Sequence, residues 1–213
     1  MVEGTLIAAF ITCDSVYLLS DGRVVNTDTG QVHNTHSKVH KLSERCGLLV
    51  AGAYMPKLPR TVSKIAEERD MNNVEQVAPI VRQEMEATWQ LLKNRESPER
   101  IHRARAFAFV VGFDSCNEPR LFYIDNKSEP AFSLQERHLF GDGNDIEIGS
   151  LSTGSGEIED PSGMLCEEIR ARLPIRDTLQ QLLIASFNGV KNVLSSQYER
   201  IGGETFILTL KKK

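Results

Sequence analysis

Residues 5–12, Thr-Leu-Ile-Ala-Ala-Phe-Ile-Thr, form an apolar run that stops at Asp14-Ser15 and resumes at Val16-Tyr17-Leu18-Leu19. Such a pattern predicts a strand, a tight turn and a returning strand. The return brings Asp21 back beside Thr5. Between Arg23 and Lys38 the cluster Asn26, Thr27, Asp28, Thr29 and Gly30 is rich in turn-forming residues and predicts a loop. A second strand pair is expected over residues 38–42 and 47–52, joined by Ser43-Glu44-Arg45-Cys46, so that Lys38 opens one strand and Gly52 closes its partner.

Beyond these hairpins the period lengthens. Residues 59–69 predict a helix, and a longer one follows Asn72-Asn73, with Val77, Val81, Leu91 and Leu92 near helical spacing. Pro79 leaves its start open, since a proline fits a helix only in its first turn and otherwise kinks it. Asp160 is expected to cap a later helix that Pro161 opens and that ends near Arg172. Residues 177–194 predict another, with Leu179, Leu182, Leu183, Phe187, Val190 and Leu194 forming one stripe, and residues 204–210 a closing β-strand. This order predicts a layered α/β (α+β) sandwich.

The opening residues carry a candidate chemistry. A threonine hydroxyl is a weak nucleophile at neutral pH until a base takes its proton, and an α-amine on the same residue can be that base. Thr5 follows Gly4, whose missing Cβ leaves its carbonyl open to attack by the Thr5 hydroxyl. Cleavage there removes Met1-Val2-Glu3-Gly4 and frees an amine with a reference pKa of roughly 8. Lys38 beside Thr5 lowers the pKa of the hydroxyl or amine, and Asp21 keeps the lysine charged and oriented. Gly52 offers its N–H to an oxyanion. Arg23, read as lying on the same strand face as Asp21, is its supporting partner. Taken singly, Asp21-Gly22-Arg23 reads as a turn with an ion pair and Lys38 as a solvated lysine; the joint spacing carries the catalytic reading.

Gly4-Thr5, Asp21-Gly22-Arg23, Lys38-Val39 and Ala51-Gly52 resemble the proteasome β-subunit and HslV group of N-terminal nucleophile (Ntn) hydrolases. The Thr5-to-Asp21 interval matches without a gap, and one residue inserted between Arg23 and Lys38 aligns both Lys38 and Gly52. The resemblance implies a four-layer αββα sandwich, two stacked antiparallel sheets flanked by helices, with a single domain over residues 5–213. Residues 106–113 and 120–125 resemble the paired strands after the family's first two helices. Thr153-Gly154-Ser155-Gly156 resembles its Gly-Ser-Gly turn, and Ser155 is carried over as the serine that supports the nucleophile's amine. The resemblance further implies a threonine peptidase acting on peptides or unfolded proteins inside a homo-oligomeric ring, with an ATPase or other proteasome-type partner.

The chain departs from the pattern in two places. The family's aspartate and serine before its Gly-Gly pair are absent, because Gly202-Gly203 follows Tyr198-Glu199-Arg200-Ile201. Glu199 and Asn192 are the candidates to stand in. Leu6 and Ile7 also replace the threonines common after the nucleophile. A noncatalytic ring subunit and a small-molecule amidase of the same fold are the alternative readings.

Composition removes other classes. A net charge of −4, with the one lysine run at Lys211-Lys212-Lys213, argues against a nucleic-acid surface. The apolar stretch from Thr5 to Leu19 is broken by Thr12-Cys13-Asp14-Ser15 and follows Glu3, so neither a membrane span nor an export signal is expected and a cytoplasmic location is the expectation. Cys13, Cys46, Cys116 and Cys166 lack metal or redox spacing. His33, His36 and His40 lie in a polar loop and an alternating strand with no completing carboxylate, so no metal and no cofactor are expected. Trp89 and the scattered phenylalanines read as packing residues. Val50 and Tyr54, near Gly52, are candidates for a substrate pocket.

Overall fold

A computed structural model describes residues 5–26, 29–53, 55–137, 140–141, 146–153, 159–173 and 178–212. Its order is β1 (Leu6–Ile11), β2 (Ser15–Asp21), β3 (Val24–Val25), β4 (Val32–His33), β5 (Val39–Lys41), β6 (Cys46–Gly52), α1 (Leu58–Glu68), α2 (Val74–Lys93) and α3 (Pro98–Arg103). There follow β7 (Ala106–Phe113), β8 (Pro119–Asp125), β9 (Gln135–Glu136), β10 (Phe140–Gly141), β11 (Glu147–Ser152), α4 (Ser162–Arg172), α5 (Leu179–Gln197) and β12 (Thr205–Lys211). The strands form three antiparallel sheets: β10-β11-β1-β2-β12, β5-β6-β7-β8-β9 and the small pair β3-β4. With its helices the fold is α+β.

The central strands explain the unbroken apolar runs of the sequence. Side chains alternate between the two faces of a strand. In β1, Leu6, Ala8 and Phe10 join a core with Leu165, Ile169, Leu183 and Phe187 of α4 and α5. Ile7, Ala9 and Ile11 join a second core with Leu49, Phe107, Phe109 and Val111 from the other five-stranded sheet. Strand β7 divides in the same way: its phenylalanines enter that shared core, while Ala106, Ala108 and Val110 pack against Val77, Val81 and Met85 of α2. A strand covered on both faces has no position for a polar side chain to reach water, so the sequence shows no polar alternation. Each large side chain sealed in this way contributes about 1.5–3 kcal/mol.

Local chemistry sets the turns and ends. The β1–β2 turn closes when the Ser15 N–H donates to Thr12 Oγ1 at 3.1 Å and the Thr12 hydroxyl donates to Asp14 Oδ1 at 2.9 Å. Helix α2 starts at Val74 because Asn73 Oδ1 accepts the Gln76 N–H at 3.0 Å. Pro79 therefore lies inside the helix, where it leaves the Glu75 carbonyl without its helical donor. The cap and the buried stripe Val77, Val81, Met85 and Trp89 outweigh that loss. Helix α4 begins at Ser162, one residue later than expected, with Asp160 Oδ1 accepting both the Ser162 N–H (3.1 Å) and its hydroxyl (2.6 Å). Helix α5 opens on a Thr178–Gln181 capping box and runs to Gln197, three residues past the expected end; Asp177, its expected start, lies outside the described residues. Helix α3 and the β3-β4 pair are additions to the sequence reading. Among the described residues no helix is long and apolar enough to cross a membrane.

Candidate active site

Two pairings bring the candidate residues to one end of the first sheet. β1 and β2 run antiparallel with Ile7 opposite Ser20, which carries Asp21 to the start of β1. β12 then lies along β2 with Thr205 opposite Asp21, which delivers the preceding Gly202-Gly203 turn to the same place.

Asp21 is wholly buried and is the hub. Its Oδ1 accepts the Leu6 N–H at 2.9 Å and the Lys38 Nζ at 2.6 Å, and its Oδ2 accepts the Gly202 N–H at 3.1 Å. A carboxylate held by an ammonium and two amides has a fixed orientation, and such charge-assisted bonds are about twice as strong as neutral ones. Thr5 is 1% exposed and is tied to β11 by the Thr153 N–H, which donates to the Thr5 carbonyl at 3.1 Å. Lys38, read singly as a solvated lysine, is only 4% exposed. Its N–H donates to Ser20 Oγ at 3.4 Å and its carbonyl accepts the Val50 N–H at 3.1 Å, so its backbone is stitched to both large sheets. Burial pushes the Lys38 ammonium down, Asp21 pushes it back, and burial prevails, leaving it below the usual lysine range.

Gly52 ends β6 at φ +85°, and a Cβ there would stand 2.1 Å from the Arg105 carbonyl oxygen. Only glycine fits both the left-handed backbone and that close approach. Thr5, Lys38 and Gly52 line one cavity of about 180 Å³, together with Val50, Ala51, Ala53, Met55, Pro59, His36 and His40. Burial lowers His40 to about 4, with the nearby His36 adding to the effect. Burial also lowers His36, helped by Lys38 and His33. At neutral pH both rings are uncharged, so Lys38 brings its amine to a wall otherwise made of apolar side chains, the two imidazoles and the hydroxyl residues Thr5 and Ser37. Tyr54, expected beside Val50, lies outside the described residues, as do Gly4 and Ser155.

Arg23 corrects the sequence reading in its geometry. Strand β2 stops at Asp21, so Arg23 does not share a strand face with it. Its guanidinium instead donates to Asn34 Oδ1 (3.0 Å) and to the carbonyls of Glu199 (2.6 Å) and Ile201 (3.3 Å). Arg23 thus acts on Asp21 through the Gly202 turn. The Glu199 and Asn192 side chains are exposed, and Glu199 meets the site through its carbonyl. Neither places its side-chain oxygen at the Asp21–Lys38 pair in any hydrogen bond of the described residues.

Lys191 was missed. From α5 its ammonium donates to the Gly203 carbonyl at 2.9 Å and to Thr205 Oγ1 at 2.6 Å. The available signal is its place on the apolar stripe, four residues after Phe187, where a lysine is costly to bury. Among the described residues, no group of three or more histidine, cysteine or acidic side chains is arranged to hold a metal ion. No protein-family model and no curated protein matches the chain.

Proposed function

We propose that this chain is a threonine peptidase of the proteasome β-subunit and HslV kind, on a four-layer αββα frame, that frees its own nucleophile at Gly4-Thr5. One observation carries the reading: the buried Asp21–Lys38 pair is fastened to the amide next to Thr5, and Lys38, Thr5 and Gly52 face one cavity. A structural ion pair has no need of a threonine, a left-handed glycine and a cavity beside it.

The chemistry follows in order. The Thr5 hydroxyl adds to the Gly4 carbonyl, the peptide C–N bond breaks in favour of an ester, and water hydrolyses that ester to release the leader and the Thr5 amine. The free amine takes the hydroxyl proton as the oxygen adds to a substrate carbonyl. The Gly52 N–H donates to the resulting oxyanion, and the leaving amine departs with the proton. Water, deprotonated by the Thr5 amine, then resolves the acyl-enzyme. Lys38 keeps the amine's pKa down, and Asp21 keeps Lys38 aimed. The cavity receives the side chain that precedes the scissile bond. Assembly into a closed ring, with selection of unfolded chains by access and an ATPase as companion, belongs to the same proposal, as does a cytoplasmic location.

The test is the intact mass of purified, assembled protein. Loss of Met1 to Gly4, abolished by Thr5→Ala, is the expected result. A full-length mass together with no hydrolysis of peptides points to a noncatalytic ring subunit, the reading favoured by the missing aspartate and serine before Gly202. Cleavage of acylated amino acids but not peptides points to an amidase.

A further inference from the structure

We propose that Lys191 is a positioning residue for the Asp21–Lys38 pair: from α5 it pins the Gly202-Gly203 turn that supplies one of the hydrogen bonds to Asp21. The inference rests on the peptidase reading for its effect on rate, but not for its structural content.

The turn is held from several sides. Its Gly202 N–H donates to Asp21 Oδ2 at 3.1 Å, and its Gly202 carbonyl accepts the N–H groups of Gly22 (3.1 Å) and Arg23 (2.9 Å). The next carbonyl, that of Gly203, accepts the Lys191 ammonium. Gly203 sits at φ +76°, and a Cβ there would come within 2.5 Å of the Asn34 carbonyl oxygen, so the turn is fitted closely around its neighbours. Lys191 also grips Thr205, the cross-strand partner of Asp21, whose hydroxyl passes the chain on to Asn188 Oδ1 at 2.6 Å. One ammonium on α5 thereby fixes the two residues that flank the carboxylate, the turn before it and the strand beside it.

A helix-packing role alone does not account for a lysine here. Its neighbours on the stripe, Phe187, Val190 and Leu194, are apolar and buried, and burial lowers the Lys191 pKa while the charge of Asp21 raises it. The position therefore bears a desolvation cost that leucine or methionine would avoid. What the ammonium supplies is a set of donors directed at a carbonyl and a hydroxyl beside Asp21, together with positive charge within reach of that carboxylate. This is also the region where the family's aspartate and serine are missing from the sequence, so the turn here is organised from α5 and from Arg23 rather than from its own side chains.

The experiment compares the full-length wild type with Lys191→Met and Lys191→Arg, using amide hydrogen exchange and steady-state peptide hydrolysis. In Lys191→Met the Gly202 amide exchanges about tenfold faster or more while the amides of β7 keep their protection; kcat falls about tenfold with KM within twofold. Lys191→Arg restores both readouts to within about threefold, because arginine retains the charge and the donors. Unchanged Gly202 exchange in Lys191→Met overturns the proposal. So does faster exchange with unchanged kcat, which would make Lys191 a packing residue only. If the wild type neither processes itself nor hydrolyses peptides, the peptidase reading fails on its own, and Gly202 exchange still decides whether Lys191 holds the Asp21 turn.

Discussion

Two buried aspartates, Asp21 and Asp114, are 0% and 3% exposed, and their partners differ in kind. Asp114 closes the β7–β8 turn: its Oδ1 accepts the N–H groups of Cys116 and Glu118, both at 2.8 Å, and its Oδ2 accepts Arg120 Nε at 3.2 Å. Those partners lie 2, 4 and 6 residues away in sequence. Asp21 draws its partners from 15, 17 and 181 residues away. Burial alone would raise Asp114, but the turn amides and the Arg120 guanidinium outweigh it and hold the carboxyl below its usual range. A carboxylate that serves a turn is satisfied by its own loop and by an arginine in contact with solvent. One that gathers a lysine from a cavity wall, a strand amide and a remote turn, all of them buried, is organised for something other than the turn it ends.

The comparison is sharpened most by exchanging each carboxylate for its amide. Asp21→Asn is expected to lower peptide hydrolysis and self-cleavage by about a thousandfold, because it leaves Lys38 buried without its counter-charge. Asp114→Asn leaves kcat within twofold. Equal losses in the two variants would erase the distinction. Gly52→Ala comes next, with a loss of about 2–4 kcal/mol in denaturant unfolding from the collision with Arg105 and the left-handed backbone. Asp114→Asn should cost about 1–2 kcal/mol through the turn bonds. Because the folded pKa of Asp114 is depressed, its stabilisation is present above the unfolded value of 3.8 and is lost as pH falls through the lower folded value. The variant removes that acid dependence. The effect confined to acidic solution belongs to His40, whose pKa burial pushes down from 6.5 to about 4. Below pH 6.5 the unfolded chain binds a proton that the fold refuses, so wild-type stability falls as pH drops toward about 4, and His40→Gln flattens that slope.

Much of the frame was legible in the sequence because strong local signals agreed with the packing. The first hairpin, the second strand pair and the closing strand stand within a residue or two of their expected places, since apolar runs and turn residues act over short range. Strand β11 was harder to read. Glu147–Ser152 contains Gly149, Ser150 and Ser152, which resemble a loop, yet Ser150 is accommodated in a buried strand because its hydroxyl shares a network with Ser162 and Asp160. The short helix α3 announces itself only through Ser97-Pro98, a cap followed by a proline. At the candidate site, Thr5, Asp21, Lys38 and Gly52 were found from spacing. Arg23 was misplaced and Lys191 missed, because both reach, besides Asn34 and Thr205, the backbone carbonyls of a turn near the far end of the chain. Backbone carbonyls carry no residue identity, so no pattern of letters points to them.

Strand β1 is paired along both edges, with β2 and β11, and lies between an apolar core on each face. Thr5, at its head, is where that seal opens, because it lines the cavity shared with Lys38 and Gly52. On the peptidase reading proposed above, a polypeptide would reach the Thr5 hydroxyl by way of that cavity.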